Sequence, residues 1–106
     1  MLIAREAGIH IASAADITDA VGACLGAYGA LVVGEEDLAP AVFDLRTGLA
    51  GELFQKFVNY GLRLAVIVPD PAAHGPRFAE LAREHASHPM VRMLRSRAEA
   101  DAWLHT

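Results

Sequence analysis

The sequence predicts an α/β domain in which short buried strands alternate with amphipathic helices. Three observations predict it. Short apolar runs occur at residues 30–33 and 62–68, the second stopped by Pro69-Asp70-Pro71, as expected of strands buried on both faces of a largely parallel sheet. Between the runs, apolar residues recur at the spacing of one helix face. With 54% of its 106 residues apolar and 21% charged, the chain supports one hydrophobic core at the commonest domain size. The expectation is a single domain over residues 1–106: a mixed, mainly parallel sheet of four to five strands, an N-terminal hairpin and four helices.

Taken in order, residues 2–4 and 9–12 read as two strands around Arg5-Glu6-Ala7-Gly8, whose glycine can supply the positive φ of a tight turn. Ile17, Val21, Cys24, Leu25 and Tyr28 then mark one face of a helix, capped by Ser13 or Asp16 and ended by Gly29. Residues 30–33 form the next strand. An acidic loop follows, in which Glu35, Glu36 and Asp37 read as a solvated run, and residues 40–43 suit either a helical turn or a short strand. Leu49, Leu53, Phe57 and Tyr60 define a second helix that begins at Thr47 and is ended by Gly61. Residues 62–68 make the strongest strand. Phe78, Leu81, Ala82 and His85 trace a third helix, and residues 90–94 the last strand. Ser96-Arg97-Ala98-Glu99 matches a capping box, opening a final helix whose Trp103 and Leu104 dock on the body. Strands joined through helices run parallel with right-handed crossovers.

The formal charge of −4 argues against duplex nucleic acid and anionic membrane surfaces, both of which are met by basic faces. No apolar run approaches the ~20 residues of a membrane-spanning helix, and Arg5, Glu6 and His10 interrupt any opening signal peptide. The single Cys24 cannot form an internal disulfide, which suits a reducing, cytoplasmic compartment; lying mid-helix, it reads as a small buried residue.

Chemistry concentrates at residues 43–52, where Asp44, Arg46, Thr47 and Gly48 precede the first turn of a helix. Free N–H groups and a partial positive charge there can hold an anion, with Arg46 adding a bidentate grip and Gly48 allowing close backbone approach. The bland account is a helix capped by Asp44 or Thr47. The Gly-Lys-Ser/Thr ending of a phosphate-binding P-loop is absent. Glu52, Lys56 and Asn59 lie on the same helix, either as a solvated face with a Glu52–Lys56 pair or as a partner surface. Five histidines, with His85 and His88 closest in sequence and His74 upstream, do not make a recognisable metal set. No serine elbow or positioned cysteine suggests a hydrolase, and nothing implies a cofactor.

The block Phe43-Asp44-Leu45-Arg46-Thr47-Gly48-Leu49-Ala50-Gly51-Glu52-Leu53, followed by Gln55-Lys56-Phe57 and an apolar strand, resembles the bacterial proteins grouped as domain of unknown function 4180. The similarity runs from the opening residues to the last helix and is most specific in this block. Where that family carries a Gly-Asp-Phe-Ser-like turn after the strand, this chain has Val68-Pro69-Asp70-Pro71. More distantly, the element order and the hydroxyl residue before Gly48 are similar to STAS domains of anti-sigma-factor antagonists. There an Asp-Ser-Ser/Thr-Gly loop opens a helix and the hydroxyl before the glycine is phosphorylated by a partner kinase. The resemblance makes Thr47 the matching residue, although Leu45 and Arg46 separate it from Asp44, one residue more than the motif allows.

Two functional expectations follow. The first is a non-enzymatic regulatory or interaction module, with a protein partner or a second copy of itself, controlled by phosphorylation or an anionic ligand at Thr47. The second is a small-molecule or nucleotide-binding protein, with or without catalysis, built around Asp44, Arg46 and Thr47. A deep pocket at the helix start favours the second, and a convex loop the first.

Overall fold

Four strands stand side by side in chain order and all run parallel: β1 (Leu2–Ile3), β2 (Ala30–Gly34), β3 (Arg63–Ile67) and β4 (Val91–Leu94). The computed structural model that contains them describes residues 1–106. Helices α1 (Ala4–Ala7) and α2 (Ala14–Cys24) carry the chain from β1 to β2, and α3 (Pro40–Phe43) and α4 (Leu49–Asn59) carry it from β2 to β3. Helix α5 (Pro76–Glu84) joins β3 to β4, and α6 (Arg97–Leu104) follows the last strand.

Strands in sequential order with right-handed crossovers put every crossover helix on one face. That face holds the larger core. Strand register aligns Leu31 with Leu64 and Val91, and Val33 with Val66 and Met93. Against these rows pack Ile17, Val21 and Cys24 of α2, Leu53 and Phe57 of α4, and Phe78 of α5. Cys24 is fully buried, and burial pushes its thiol above the usual range, so it behaves as a small apolar core group. The other face is covered by α6 alone. Ala30, Val32 and Ala65 present small side chains there, leaving the depth that Trp103 fills together with Ala100 and Leu104. Ser96 caps α6 by accepting the Glu99 N–H at 3.2 Å, the first half of the predicted capping box, while the Glu99 carboxylate turns instead to the Arg95 N–H at 2.9 Å. Ser13 caps α2 in the same way through the Asp16 N–H.

The N-terminal hairpin does not form, and the sheet is parallel throughout instead of mixed. Gly8 does take a positive φ, 70°, but as the C-cap of the one-turn helix α1. The Ile9 N–H closes onto the Ala4 carbonyl at 2.9 Å, a helix-terminal bond that takes the place of a cross-strand ladder. The apolar residues at 9–11 are used elsewhere. Ile11 pairs in parallel with Leu38, its N–H donating to the Asp37 carbonyl at 2.9 Å and its own carbonyl accepting from Ala39 at 2.8 Å. Six α-helices replace the expected four, the additional two, α1 and α3, being single turns. Helix α2 stops at Cys24, so Leu25 and Tyr28 leave the predicted stripe and are exposed, and the chain turns at Gly26 (φ 79°), ahead of the expected Gly29. Tyr60 likewise lies beyond α4 and is exposed. No helix is long and apolar enough to cross a membrane.

Candidate functional site

Two connections of the parallel sheet, from β2 to α4 and from β3 to α5, meet beyond the carboxyl ends of their strands. In parallel α/β sheets this is the end at which ligands bind. Between them lies a groove of about 750 Å³, walled by residues 43–46 on one side and 74–78 on the other. Both walls are shaped by local sequence. Pro40 opens α3 at a position where its missing N–H is harmless, and α3 ends at Phe43. A 3₁₀ turn, Leu45–Thr47, follows, and Gly48 adopts a φ of 76° to redirect the chain into α4. Opposite, the 3₁₀ turn Pro71–His74 ends at Gly75, whose φ of 100° suits glycine, and Pro76 opens α5.

The predicted site residues separate into two sets. Asp44 and Arg46 line the groove; Thr47 and Gly48 stand outside its lining. Asp44 accepts the Arg46 backbone N–H at 3.1 Å and grips the guanidinium with both carboxylate oxygens at 3.0 Å. These bonds from Arg46 hold the Asp44 carboxyl below the usual carboxylate range. Folded-state depression of this kind gives the pair a contribution to stability that is present above the unfolded pKa and is lost as pH falls through the folded value. The pair is solvent-exposed, so its distinct signature is the titration itself. In Arg46→Ala, carboxyl NMR should show the Asp44 midpoint rising toward the ordinary value of about 3.9. An unmoved midpoint would refute this account of the pair.

Thr47 is committed locally. Its hydroxyl lies 2.7 Å from the Ala41 carbonyl and 2.8 Å from that of Asp44, to which it donates, and it accepts the Leu49 N–H at 3.3 Å. The hydroxyl therefore ties α3, the 3₁₀ turn and the start of α4 together. On α4, Glu52 and Asn59 are exposed and Lys56 half-buried. The Glu52–Lys56 ion pair does not form; Asn59 instead accepts a hydrogen bond from Gln55 at 2.8 Å.

Of the remaining groove residues, Phe43 belongs to the block the sequence singles out, His74 stands out there only as a metal-ligand candidate, and Arg77 is not singled out. His74 stacks on Phe43, with ring centroids 3.9 Å apart and planes within 9°, and meets Phe78 edge-on. Its Nε2 contacts the Glu35 carboxylate, so the acidic run is not uniformly solvated. Asp37 is buried too, accepting the Gly34 N–H at 2.8 Å. Arg77, exposed at the first turn of α5, makes no ion pair and no side-chain hydrogen bond. The available signal was Gly75-Pro76 after a strand, which marks a helix start facing the same end of the sheet as the Asp44 loop.

His85 and His88 serve the backbone. His88 Nδ1 accepts the N–H groups of Met90 and Val91 at 3.0 and 3.1 Å, setting the entry to β4, and His85 Nδ1 bonds the Leu81 carbonyl at 3.0 Å. No three His, Cys, Asp or Glu side chains gather as metal ligands.

No curated protein and no solved structure matches the chain. A family model matches residues 1–104, which carry the whole sheet, both walls of the groove and all of α6, in agreement with the resemblance read from the Phe43–Phe57 block. The chain belongs to the family described as domain of unknown function (DUF4180).

Proposed function

We propose that this chain is a binding module for a small anionic molecule, a phosphate or carboxylate compound, seated in the groove between the β2–α4 and β3–α5 connections. The observation that carries the reading is Arg77, an exposed guanidinium at the wall of a groove of about 750 Å³ that forms no ion pair within the chain. Helix geometry adds to it: the first-turn amides of α5 have no upstream acceptor, and the first intrahelical bond is that of Ala79 to Gly75 at 3.1 Å. Phe43 and Phe78 supply an apolar floor, and Arg46 stands at the rim. The groove lies within the size range of small-molecule sites.

This reading moves the anion from the start of α4, where the sequence suggests it, to the start of α5. Phosphorylation of Thr47 is less well supported, because a phosphoryl group there breaks the contacts its hydroxyl makes with Ala41 and Asp44. A protein partner at Glu52, Lys56 and Asn59 is a second reading. It is favoured by Val58 and Tyr60, which are 38% and 53% exposed at the same end of α4.

Inorganic phosphate and simple phosphate esters test the anion reading. A ligand at a hundredfold excess over its Kd stabilises by about 2.7 kcal/mol, which raises the Tm of a domain of this size by about 10 °C. Differential scanning calorimetry at constant ionic strength should show that rise. A Tm that responds to phosphate no more than to chloride would exclude the site.

A further inference from the structure

We infer that, with the His74 ring neutral, the groove selects anions that also carry a hydroxyl group, because the Glu35–His74 pair leaves Nδ1 as a hydrogen-bond acceptor on a ring that lines it. The inference rests on the anion reading above and names the ligand class more closely.

His74 Nε2 contacts the Glu35 carboxylate, and a carboxylate can only accept. Nε2 therefore carries the proton, and in the neutral imidazole the lone pair belongs to Nδ1. Nδ1 has no partner in the chain, yet no polar side-chain atom of the molecule is both buried and unsatisfied. Nδ1 is thus not fully buried, on a ring that lines the groove. The ring cannot easily turn away. Phe43 stacks against one side at 3.9 Å and Phe78 meets it edge-on at 5.3 Å. Glu35 leaves the end of β2 and His74 precedes α5, so the pair also bridges the two connections that form the groove.

The charged groups sort accordingly. The Asp44 carboxylate is occupied by Arg46, and that of Glu35 by His74, while Arg77 is unpaired. The groove therefore offers the Arg77 guanidinium as a cation without an ion pair and the neutral His74 ring as an acceptor without a partner. A ligand satisfying both carries an anionic group and a donor hydroxyl on a short carbon frame that rests on the Phe43 and Phe78 rings: a hydroxylated phosphate ester or a hydroxy acid. An anion without the hydroxyl leaves Nδ1 facing water or apolar ligand surface.

Glycerol phosphate and propyl phosphate, which differ in hydroxyl groups on a frame of the same length, provide the test by titration calorimetry at a pH where imidazole ¹⁵N resonances show the His74 ring neutral. The wild-type chain should bind glycerol phosphate about fivefold more tightly, the worth of one net hydrogen bond. His74→Phe keeps the stack on Phe43 and removes the acceptor, so the ratio of the two affinities should fall to about one; a ratio that stays near the wild-type value overturns the hydroxyl preference. Equal affinities in the wild type overturn the hydroxyl preference while leaving the anion site standing. Binding of neither phosphate overturns both. A second measurement needs no variant: imidazole ¹⁵N resonances of the wild-type chain should report a protonated Nε2 and a bare Nδ1 for His74. The reverse tautomer overturns the inference.

Discussion

Trp103→Ala is expected to lose about 3–5 kcal/mol of folding stability. On a domain whose total stability lies near 5–15 kcal/mol, this removes a large share. The magnitude follows from the layers. Helices α2, α4 and α5 share the cover of one sheet face, so a truncation there leaves neighbours that partly relax into the space. The opposite face has α6 alone, and the indole, 7% exposed, is the largest side chain in its cluster of six buried residues. Ala30, Ala65 and Ala100 cannot reach across the vacancy. The same ring carries the guanidinium groups of Arg63 and Arg92, centred 5.5 and 4.9 Å from it, whose attraction to the ring is lost as well. Arg63 keeps its hydrogen bonds to the Trp103 and Leu104 carbonyls, which are backbone and survive the substitution. Urea titration should show a lowered midpoint at unchanged slope. Tyr60→Ala, at a residue 53% exposed, is the control and should stay within about 0.5 kcal/mol of wild type. A Trp103 variant as stable as that control would refute the single-cover account of the second face.

Arg77→Ala is expected to weaken phosphate binding by at least about tenfold, since a hydrogen bond to a charged group contributes about 1.5–3 kcal/mol. Folding should be unaffected, because the side chain is exposed and forms no contact that the fold depends on. Arg46→Ala provides the contrast. Its guanidinium already shares two hydrogen bonds with Asp44, and removing it releases a carboxylate beside the groove while deleting a cation that was largely neutralised. The loss from Arg46→Ala should therefore be the smaller of the two. Arg77→Lys should recover part of the binding, as a point charge in place of a bidentate fork. Phosphate affinities from calorimetry at fixed ionic strength decide it; an Arg77 variant that binds like wild type would remove the basis of the proposed site.

The sequence was informative wherever a signal was local and periodic. The caps at Ser13 and Ser96, the stripe of Leu53 and Phe57, and strands β2 to β4 each declare themselves within a dozen residues, because caps and amphipathic faces are short-range. The hairpin was misjudged for a physical reason. A glycine at positive φ after four residues suits both a tight turn between strands and the C-cap of a one-turn helix, and only Ala4, which is fully buried, decides between them. The site was half legible. Asp44 and Arg46 stood out because two glycines, an acid and a base crowd one helix start. His74 and Arg77 carried no such cluster; tertiary packing of the two connections brings His74 onto Phe43 and Glu35, both more than thirty residues away along the chain, and sets Arg77 in the same groove wall.

Sequential strand order has a kinetic consequence. Each pairing, Leu2 with Leu31, Leu31 with Leu64 and Leu64 with Val91, closes a loop of similar length through an intervening helical connection. Loop-closure entropy grows only slowly with length, so the successive closures face comparable barriers and no strand waits for a remote partner. Assembly is free to begin at the β2–β3 pair and spread outward to either edge, in the manner of a stack of repeats added one unit at a time.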